Sequence, residues 1–247
     1  MKVIGLIPAR LESSRLPNKA ILDICGLPMI IHTLKRSELA NSLDMVYVAT
    51  DSSKIARLGE EYGGKAIMTS TKHKTGSDRI AEAAQNLDAD IIVNIQGDEA
   101  LVDPKSIDKG VNALINSDAE VSILLTPYKK KNSPSDIKAV VNVKNEIMYF
   151  SRNDIPSEAR VKVDQVLKGY HIVSFRKEFL LKYAQMEQTP LEKIEFNEYL
   201  RILENGYKIQ GVMVESDAIS VDTQDDLDFV RRLMEKDELM LNYAPPL

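Results

Sequence analysis

Three cationic side chains, Arg10, Arg15 and Lys19, follow the first apolar run of the chain, VIGLI at residues 3–7. They share their segment with two prolines and two serines. Folding does not require cations at this place, whereas guanidinium groups and a lysine ammonium bind phosphate oxygens well. The pattern therefore favours a phosphate-binding loop over a set of solvated surface charges.

Two aspartates supply the opposite charge. Asp98 follows another apolar run, in NIQGDEAL, where it could cap the next turn or bind a metal ion. Its position directly after a buried strand favours metal binding, because hard cations prefer carboxylate oxygens. Asp222 lies in ISVDTQDD, and there the local pattern favours an N-terminal cap of the last helix, with Thr223 and Asp226 resembling a capping box.

The segments that must position these side chains alternate between apolar runs and helix-like stretches. The predicted strands of the first half are VIGLIP, MVYVAT, KAIMTS and DIIVNIQ, and helices are predicted at residues 28–40, 52–62 and 77–87. Uninterrupted β-branched runs separated by helices are typical of parallel strands buried on both faces. The predicted fold class is therefore α/β, with a doubly wound, mostly parallel sheet.

After Pro104 the alternation loosens, and the sequence predicts an antiparallel extension without full helices between its strands. EVSILLTPY, IKAVVNV, EIMYFSR and the later YKIQGVMV are the predicted strands. Helices are predicted over RKEFLLKYAQM, PLEKIEFNEYLRILENG and TQDDLDFVRRLMEKDEL, and the last residues, NYAPPL, are expected to trail. No linker divides the chain, so residues 1–247 are expected to form a single domain.

The predicted sheet brings the charged residues to one edge. In open parallel sheets, ligands bind in the crevice beyond the carboxyl ends of the strands. Four segments lie at such ends here: Arg10 to Lys19, Asp51, His73 to Arg79, and Gln96 to Glu99. Cations from the first segment and carboxylates from the fourth would then face each other, as expected for a nucleoside triphosphate bound with a divalent metal ion.

The composition argues against several other classes of protein. A net charge of −5 disfavours a nucleic-acid-binding or membrane-binding surface. No apolar run approaches the roughly 20 residues of a membrane helix, and the three histidines form no zinc pattern. Cys25, the only cysteine, is expected to be a small buried hydrophobe. With no signal sequence in the N-terminal residues, the cytoplasm is the expected location.

One stretch imitates a nucleotide-binding motif. GEEYGGKA at residues 59–66 has the glycine and lysine spacing of a P-loop, but Ala66 stands where the motif needs a hydroxyl for magnesium. It also runs from a helix into a strand, the reverse of the P-loop order. Gly63 and Gly64 are better explained as a helix stop.

Taken together, these stretches resemble the sugar cytidylyltransferases that activate 3-deoxy-manno-octulosonate (Kdo), the CMP-Kdo synthetase family. The segments that carry the resemblance are IPARLESSRLPNKAILDICGLPMIIH, VYVATDSSKI, GGKAIMTSTKHKTGSDRIAE, IVNIQGDEALVDP, YFSRNDIP, PLEKIEFNEYLRILENGYKI and VDTQDDLDFVR. They run in family order and cover nearly the whole chain. The resemblance implies a nucleotidyltransferase fold, Mg²⁺ as cofactor, CTP and an acidic sugar as substrates, and a homodimer.

The resemblance also implies roles for individual residues. These are Arg10 and Lys19 for the CTP phosphates, Ser77 and Arg79 for the cytidine pocket, Asp98 and Asp222 for magnesium, and Gln96, Arg152 and Glu198 for the acidic sugar. For Asp222 this reverses the capping interpretation. Arg15 is expected to help neutralise the departing pyrophosphate, and Arg152 to pair with the sugar carboxylate.

The sugar half departs from the family pattern. Where the family has H-x-G-x-Y before an arginine-led helix, this chain has GYHIVSFR. Gly169 takes the place of the histidine and Val173 that of the tyrosine, although His171 lies two residues away. Ala100 replaces a proline after QGDE, and Tyr199 replaces a glutamine. The expected acceptor is therefore Kdo or a related ulosonic acid.

The expected reaction is transfer of CMP from CTP to the anomeric hydroxyl of an acidic 2-keto-3-deoxy sugar, with release of pyrophosphate. The product would serve lipopolysaccharide or capsule synthesis. Two alternatives remain at this point. A nucleotidyltransferase for a phosphorylated sugar or alditol would share the first loop but needs cations for a second phosphate group. A non-catalytic CTP-binding regulator would bind CTP without turnover, which the paired aspartates disfavour.

Overall fold

A sheet of buried strands forms the centre of the fold. The computed structural model describes residues 1–12, 15–73 and 75–244. The strands are β1 (Val3–Ala9), β2 (Asp23–Ile24), β3 (Leu27–Pro28), β4 (Met45–Thr50), β5 (Lys65–Met68), β6 (Ile91–Asn94), β7 (Val121–Pro127), β8 (Lys138–Val141), β9 (Ile147–Ser151), β10 (Leu167–Arg176) and β11 (Ile209–Met213). In the described part of the chain, nine of them form one sheet, while β2 and β3 form a separate small hairpin.

The strand order of the large sheet is β11-β7-β10-β6-β1-β4-β5, with β8 pairing β10 and β9 pairing β8. Strands β6, β1, β4 and β5 are parallel to one another, and β11 is parallel to β7. Strand β10 is antiparallel to both β6 and β7. The prediction of a mostly parallel sheet with an antiparallel extension is confirmed.

Helices cover both faces of this sheet. They are α1 (Met29–Glu38), α2 (Ser53–Glu61), α3 (Gly76–Ala84), α4 (Pro104–Ile115), α5 (Lys177–Tyr183), α6 (Pro190–Glu195), α7 (Leu200–Glu204) and α8 (Gln224–Met234). Alternate residues of β1 point to opposite faces, as the pleat of a strand requires. Ile4 and Leu6 join an apolar cluster with Ile80 of α3, whereas Val3 and Ile7 join a second cluster with residues of α1, α2 and α4. The sheet is therefore doubly wound.

Two elements were missed by the sequence analysis. Helix α4 follows β6 directly, with Asp103 as its N-cap and Pro104 in its first turn, so the α/β alternation continues beyond the point where the sequence indicated an end. Strand β10 is ten residues long and lies in the middle of the sheet. The chain after Pro104 thus contains a full crossover helix as well as the antiparallel strands.

The predicted helix over residues 190–206 is wrong as a single helix. It consists of α6 and α7, separated at Phe196, which has a left-handed backbone with φ of 52°. Since a left-handed residue cannot continue an α-helix, the chain turns there, and Glu198 and Tyr199 lie in the resulting connection. The break is what turns this connection towards α3.

The C-terminal region packs on the start of the chain. Residues of α8, with Val221 and Met240, form a third apolar cluster with Leu16, Ile24 and Met29. Tyr243 is hydrogen-bonded to His32 of α1, so the expectation that the tail merely trails is wrong for that residue. The rest of that prediction, residues 245–247, lies outside the described residues.

Two smaller sequence predictions have different outcomes. Gly63 has a positive φ of 76° directly after α2, which confirms the helix stop in GEEYGGKA. Cys25 is only partly buried, so its prediction as a fully buried hydrophobe is wrong; it occupies a left-handed turn between β2 and β3. Within the described residues, no helix has the length and apolar character needed to cross a bilayer.

Candidate active site

A cleft of about 300 Å³ opens at the carboxyl ends of β1 and β6. Its lining comes from four parts of the chain. They contribute Arg10, Arg15 and Lys19; His73, Thr75, Gly76 and Arg79; Gln96, Gly97 and Asp98; and Asp222. The predicted crevice is therefore present. Seven of the ten predicted site residues line it, Arg79 included. Ser13 and Ser14, which belong to the first segment, lie outside the described residues.

Lys19 occupies the centre of the charged cluster. Its Nζ lies 2.6 Å from Oδ2 of Asp98 and 3.1 Å from Oδ1 of Asp222, and Arg15 Nη2 lies 3.0 Å from the same Asp222 oxygen. Burial of the ammonium alone would lower its pKa, but the two carboxylates outweigh this effect and raise the pKa of Lys19 above its ordinary value. Lys19 is therefore a cation at neutral pH, held between two carboxylates.

Asp222 does not cap the last helix. Thr223 is the N-cap of α8: its Oγ1 accepts a hydrogen bond from the Asp226 N–H, and the Asp226 carboxylate accepts one from the Thr223 N–H. The capping box predicted from the sequence is confirmed for this pair, and the capping interpretation of Asp222 is wrong. Because Thr223 and Asp226 satisfy the helix end, the Asp222 carboxylate is available to the cleft.

The two aspartates suit a divalent cation. Their carboxylates converge on one point, which Lys19 Nζ occupies. The described part of the chain holds no group of three or more histidine, cysteine, aspartate or glutamate residues that could bind a metal ion. A cation here would thus take one or two carboxylates from the protein and its other oxygens from substrates, which is the coordination that Mg²⁺ commonly has at phosphate sites.

A glycine brings Asp98 close to the first loop. A Cβ atom on Gly97 would lie 3.0 Å from the Pro8 carbonyl oxygen and 3.2 Å from Cδ1 of Ile30. Any side chain here would force the turn after β6 or the end of β1 to shift by a few tenths of an ångström. The absence of a side chain at Gly97 therefore helps to set the position of Asp98.

The predicted cytidine residues lie at the start of α3. Thr75 is the N-cap, in a capping box with Asp78. Arg79 lines the cleft, and its buried guanidinium donates to Asp51 Oδ2 at 2.7 Å and to the Thr69 hydroxyl. Asp51, which directly follows β4, thereby fixes the position of the Arg79 side chain. Ser77 is buried, and its hydroxyl donates to Glu198 Oε1 at 2.9 Å.

The predicted sugar residues are divided between two places. Gln96 lines the cleft, and Glu198 reaches the base of α3 through Ser77. Arg152 lies elsewhere: its guanidinium donates to the backbone carbonyls of Glu195, Pro134 and Phe196, at 2.7, 2.6 and 2.9 Å. It is not among the described residues that line the cleft.

Two of the positions that depart from the family pattern, Val173 and Tyr199, belong to one apolar cluster. The ring of Tyr199 stacks on that of His171 with 6.3 Å between the centroids, and Tyr199 and Val173 are both buried. Burial lowers the pKa of His171 and raises the pKa of Glu198, which keeps both groups closer to their neutral forms. The side of the site next to Glu198 is therefore more apolar than the triphosphate side.

Two titratable residues at the site had no role assigned from the sequence. Glu99 is almost fully buried, and burial together with the charge of Asp98 raises its pKa to about 8. His73 lines the cleft and is paired with Glu82. Both lie in loops that the sequence indicated as strand ends, but nothing in the local pattern distinguishes their side chains from solvated loop charges.

Known proteins with related sequences are cytidylyltransferases. A sequence model of the family described as Cytidylyltransferase matches residues 4–209. The 3-deoxy-manno-octulosonate cytidylyltransferase of Geobacter metallireducens is 40% identical, with 93% of this chain and 96% of the relative covered. The mitochondrial enzyme of the same name from Arabidopsis thaliana is also 40% identical, over 94% of this chain and 83% of its own.

Solved structures give the same result. A CMP:2-keto-3-deoxy-manno-octonic acid synthetase complexed with CTP superposes with a TM-score of 0.92 at 35% identity, covering 96% of this chain and 99% of that one. A 4-diphosphocytidyl-2C-methyl-D-erythritol synthase from Anaerococcus prevotii, at 16% identity and a TM-score of 0.63, shares the fold. The chain belongs to the cytidylyltransferase family, in the group that contains the 3-deoxy-manno-octulosonate cytidylyltransferases.

Proposed function

We propose that this protein transfers CMP from CTP to the anomeric hydroxyl of Kdo or a related ulosonic acid and releases pyrophosphate. The observation that carries the proposal is the meeting of Lys19 with Asp98 and Asp222 in a cleft that Arg10 and Arg15 also line. This cluster joins cations for a triphosphate to carboxylates for a divalent metal ion. The relatives that carry the name of this activity align over most of the chain.

The chain's own residues would hold CTP and lead it to react at the α-phosphorus. Arg10, Arg15 and Lys19 neutralise the β- and γ-phosphates and the pyrophosphate that leaves. Arg79 and Ser77 at the start of α3 hold the nucleoside end. In-line displacement at phosphorus depends on positioning and charge stabilisation rather than on covalent help from the protein.

Asp98 and Asp222 would hold Mg²⁺. When bound, this ion would neutralise phosphate charge and lower the pKa of the attacking hydroxyl. Lys19 would then leave its position between the two carboxylates. Because Lys19 lines the cleft, its ammonium could bind the phosphates of a nucleotide held there. We further propose magnesium as the physiological metal, because a site with two carboxylates and substrate phosphates is typical of it.

The acidic sugar would bind on the side of Gln96 and Glu198. Arg152 would pair with the sugar carboxylate after exchanging some of its three carbonyl partners. The printed names of the relatives support Kdo as the acceptor. The stacked rings of Tyr199 and His171 support a related ulosonic acid as well, because they present a more apolar surface than the glutamine of the family pattern would.

Pyrophosphate release from CTP with Mg²⁺ and Kdo tests the proposal. We expect release that depends on both Kdo and metal, and that falls by at least about 100-fold in Asp98→Asn, since a lost metal-binding carboxylate costs several kcal/mol of barrier. Asp88→Asn is the matched control, because Asp88 is an exposed carboxylate remote from the cleft.

Two results would contradict the proposal. Turnover of a sugar phosphate or alditol phosphate, with no turnover of any keto acid, would favour the alternative transferase. CTP binding without turnover of any acceptor would favour the regulator. Release with another ulosonic acid but not with Kdo would retain the reaction and change the acceptor.

Three further properties are proposed, the first on the resemblance and the other two on the sequence itself. They are assembly as a homodimer, a location in the cytoplasm, and folding of residues 1–247 as one domain. Sedimentation at several protein concentrations tests the first, fractionation of the source cells the second, and limited proteolysis the third. The net charge of −5 supports the absence of nucleic-acid and membrane partners.

A further inference from the structure

We propose that Glu99 is a positioning residue that fixes Asp222 relative to Asp98, and so prepares the carboxylate pair for a divalent cation. The inference rests on the proposed function, because it assumes that the pair binds metal. It concerns a residue that would touch neither CTP nor sugar. Its action would pass through the backbone that leads into Asp222.

Glu99 reaches across to the other ligand-bearing segment. Its side chain is 2% exposed. Its Oε1 accepts a hydrogen bond from the hydroxyl of Ser220, a residue 121 positions away in sequence. Ser220 lies two residues before Asp222 in the chain.

A backbone hydrogen bond lies beside this contact. The N–H of Val221 donates to the carbonyl oxygen of Asp98 at 3.1 Å. The segments 98–99 and 220–221 are therefore joined by one side-chain contact and one main-chain contact, and the two proposed metal ligands stand at the ends of this junction. On its other side Asp222 is fixed by the Thr223 cap of α8.

The chemistry of Glu99 fits a joining role better than a packing role. A buried carboxyl group is costly unless hydrogen bonds satisfy it, and an apolar side chain would fill the same space without that cost. The hydrogen bond of Glu99 is directed at Ser220, in the segment that leads into Asp222. Lys168 supports the same segment, since its Nζ lies 3.5 Å from the Ala218 carbonyl oxygen.

The junction is short, so small changes in it would move a ligand. Residues that orient metal ligands typically affect metal affinity or activity by about 10- to 100-fold when mutated. Loss of the Glu99 contact would leave the two segments joined by the Val221 main-chain bond and by Lys19, whose ammonium would turn to the phosphates when nucleotide binds. The expected defect is weaker metal binding with nucleotide binding retained, because the cations of the first loop do not touch Glu99.

Direct metal binding tests this inference without any sugar. Mn²⁺ binding to the protein–CTP complex is measured by electron paramagnetic resonance, and CTP binding is measured by calorimetry in EDTA. We expect Glu99→Leu to weaken Mn²⁺ binding by about tenfold or more, and to leave metal-free CTP binding unchanged. Glu99→Gln should restore Mn²⁺ binding, since its amide oxygen can accept from the Ser220 hydroxyl.

A serine pair provides the matched comparison. Ser220→Ala removes the hydroxyl that contacts Glu99, and it should weaken Mn²⁺ binding in the same direction with no added effect in Glu99→Leu. Ser216→Ala removes a hydroxyl from the same segment, one that contacts Ser106 instead, and should leave Mn²⁺ binding unchanged. Non-additivity of the first pair is the signature of a shared junction.

Each outcome decides the matter. Wild-type Mn²⁺ affinity in both Glu99→Leu and Ser220→Ala overturns the inference, even when activity falls, because the role would then be packing. An equal loss in Ser216→Ala also overturns it. Should Glu99→Leu fail to fold, Ser220→Ala and Glu99→Gln decide. Absence of Mn²⁺ binding in the wild-type complex overturns the metal assignment of the proposed function itself, which no variant result alone would do.

Discussion

At the scale of residues, Lys19 is where the site's charges balance. Its ammonium lies between the carboxylates of Asp98 and Asp222, the two groups that would hold a metal ion. A cation already there opposes a second cation, because like charges a few ångströms apart repel. Before nucleotide binds, the protein thus neutralises its own carboxylates. Under the proposed function, the arrival of a triphosphate would supply a new partner for Lys19 and free the two carboxylates.

Lys19→Met should strengthen metal binding to the nucleotide-free protein. Removal of the competing ammonium leaves two carboxylates facing each other without a partner, so we expect the Mn²⁺ dissociation constant to fall by at least about tenfold, or about 1.4 kcal/mol. Metal-free CTP binding should weaken in the same variant. Both are measured by titration, with the exposed Lys2→Met as control. An unchanged Mn²⁺ constant would mean that the ammonium does not compete.

Most of the cleft residues could be predicted, and the reason is local. Arg10, Lys19 and Asp98 lie in the segments that follow the buried strands β1 and β6, and the carboxyl ends of parallel strands lie at the same edge of a sheet. Asp222 was misread because a neighbouring capping box, Thr223 with Asp226, makes a cap the simplest explanation of any aspartate there. The partners of Arg152 could not be predicted, since backbone carbonyls carry no sequence signal. The roles assigned to these residues stay predictions.

At the scale of elements, α1 illustrates how one buried side chain joins a helix to two other segments. His32 on this helix is fully buried. Its Nε2 lies 2.7 Å from the Ile24 carbonyl oxygen and its Nδ1 lies 2.9 Å from the Tyr243 hydroxyl. The carbonyl can only accept, so Nε2 carries the proton and Nδ1 accepts from Tyr243. The neutral ring therefore joins the β2–β3 hairpin to the C-terminal segment.

His32 should make the protein less stable in acid. Burial lowers its pKa, and the charge of Arg36 acts in the same direction, while the Ile24 carbonyl, Asp23 and Asp237 oppose them. The unfolded chain takes up a proton near the ordinary pKa of 6.5, whereas the folded chain does not until lower pH. The free energy of unfolding from this group is therefore complete above pH 6.5 and falls as pH decreases through it.

Urea unfolding of the wild type and of His32→Gln measures this effect. We expect the difference in unfolding free energy between the two proteins to be larger at about pH 7.5 than at about pH 5.5. Other groups that titrate are common to both proteins and cancel in the comparison. A difference that stays constant over this interval would show that His32 exchanges no proton on unfolding.

The elements that the sequence analysis missed share a physical cause. The apolar pattern does not change clearly between the segment before α4 and the helix itself. Strand β10 pairs with β6 and β7, which are distant from it in sequence. Local pattern identifies a segment's preference, whereas strand order depends on contacts across the sheet. The break between α6 and α7 depends on one left-handed residue, Phe196, which has none of the usual signals of a helix end.

At the scale of the whole molecule, the apolar interior has three parts of different kinds. Two cover the faces of the sheet, and the third joins α8 and the end of the chain to residues 16–29. The third is the smallest and lies at the periphery. Small peripheral clusters open with a lower free energy than the strands at the centre of a sheet. The segment that carries Asp222 is thus expected to open more readily than the strands at the centre of the sheet.

Hydrogen exchange should reveal this order. In the free protein we expect the amides of α8 to exchange faster than those of β1 and β6. CTP with Mg²⁺ should slow exchange in α8, because a ligand that needs Asp222 stabilises the closed segment. CTP in EDTA should protect the loop after β1 with less effect on α8. Equal protection of α8 with and without metal would contradict the assignment of Asp222.

The contact between Lys19 and Asp222 spans 203 residues of sequence. On a ribosome, Lys19 of the cationic loop is made 203 residues before Asp222. A nascent or prematurely terminated chain would carry the triphosphate-binding cations without the second carboxylate. Nucleotide could then be held before it could be consumed, and docking of the final helix would mark the moment at which a newly made chain acquires its chemistry.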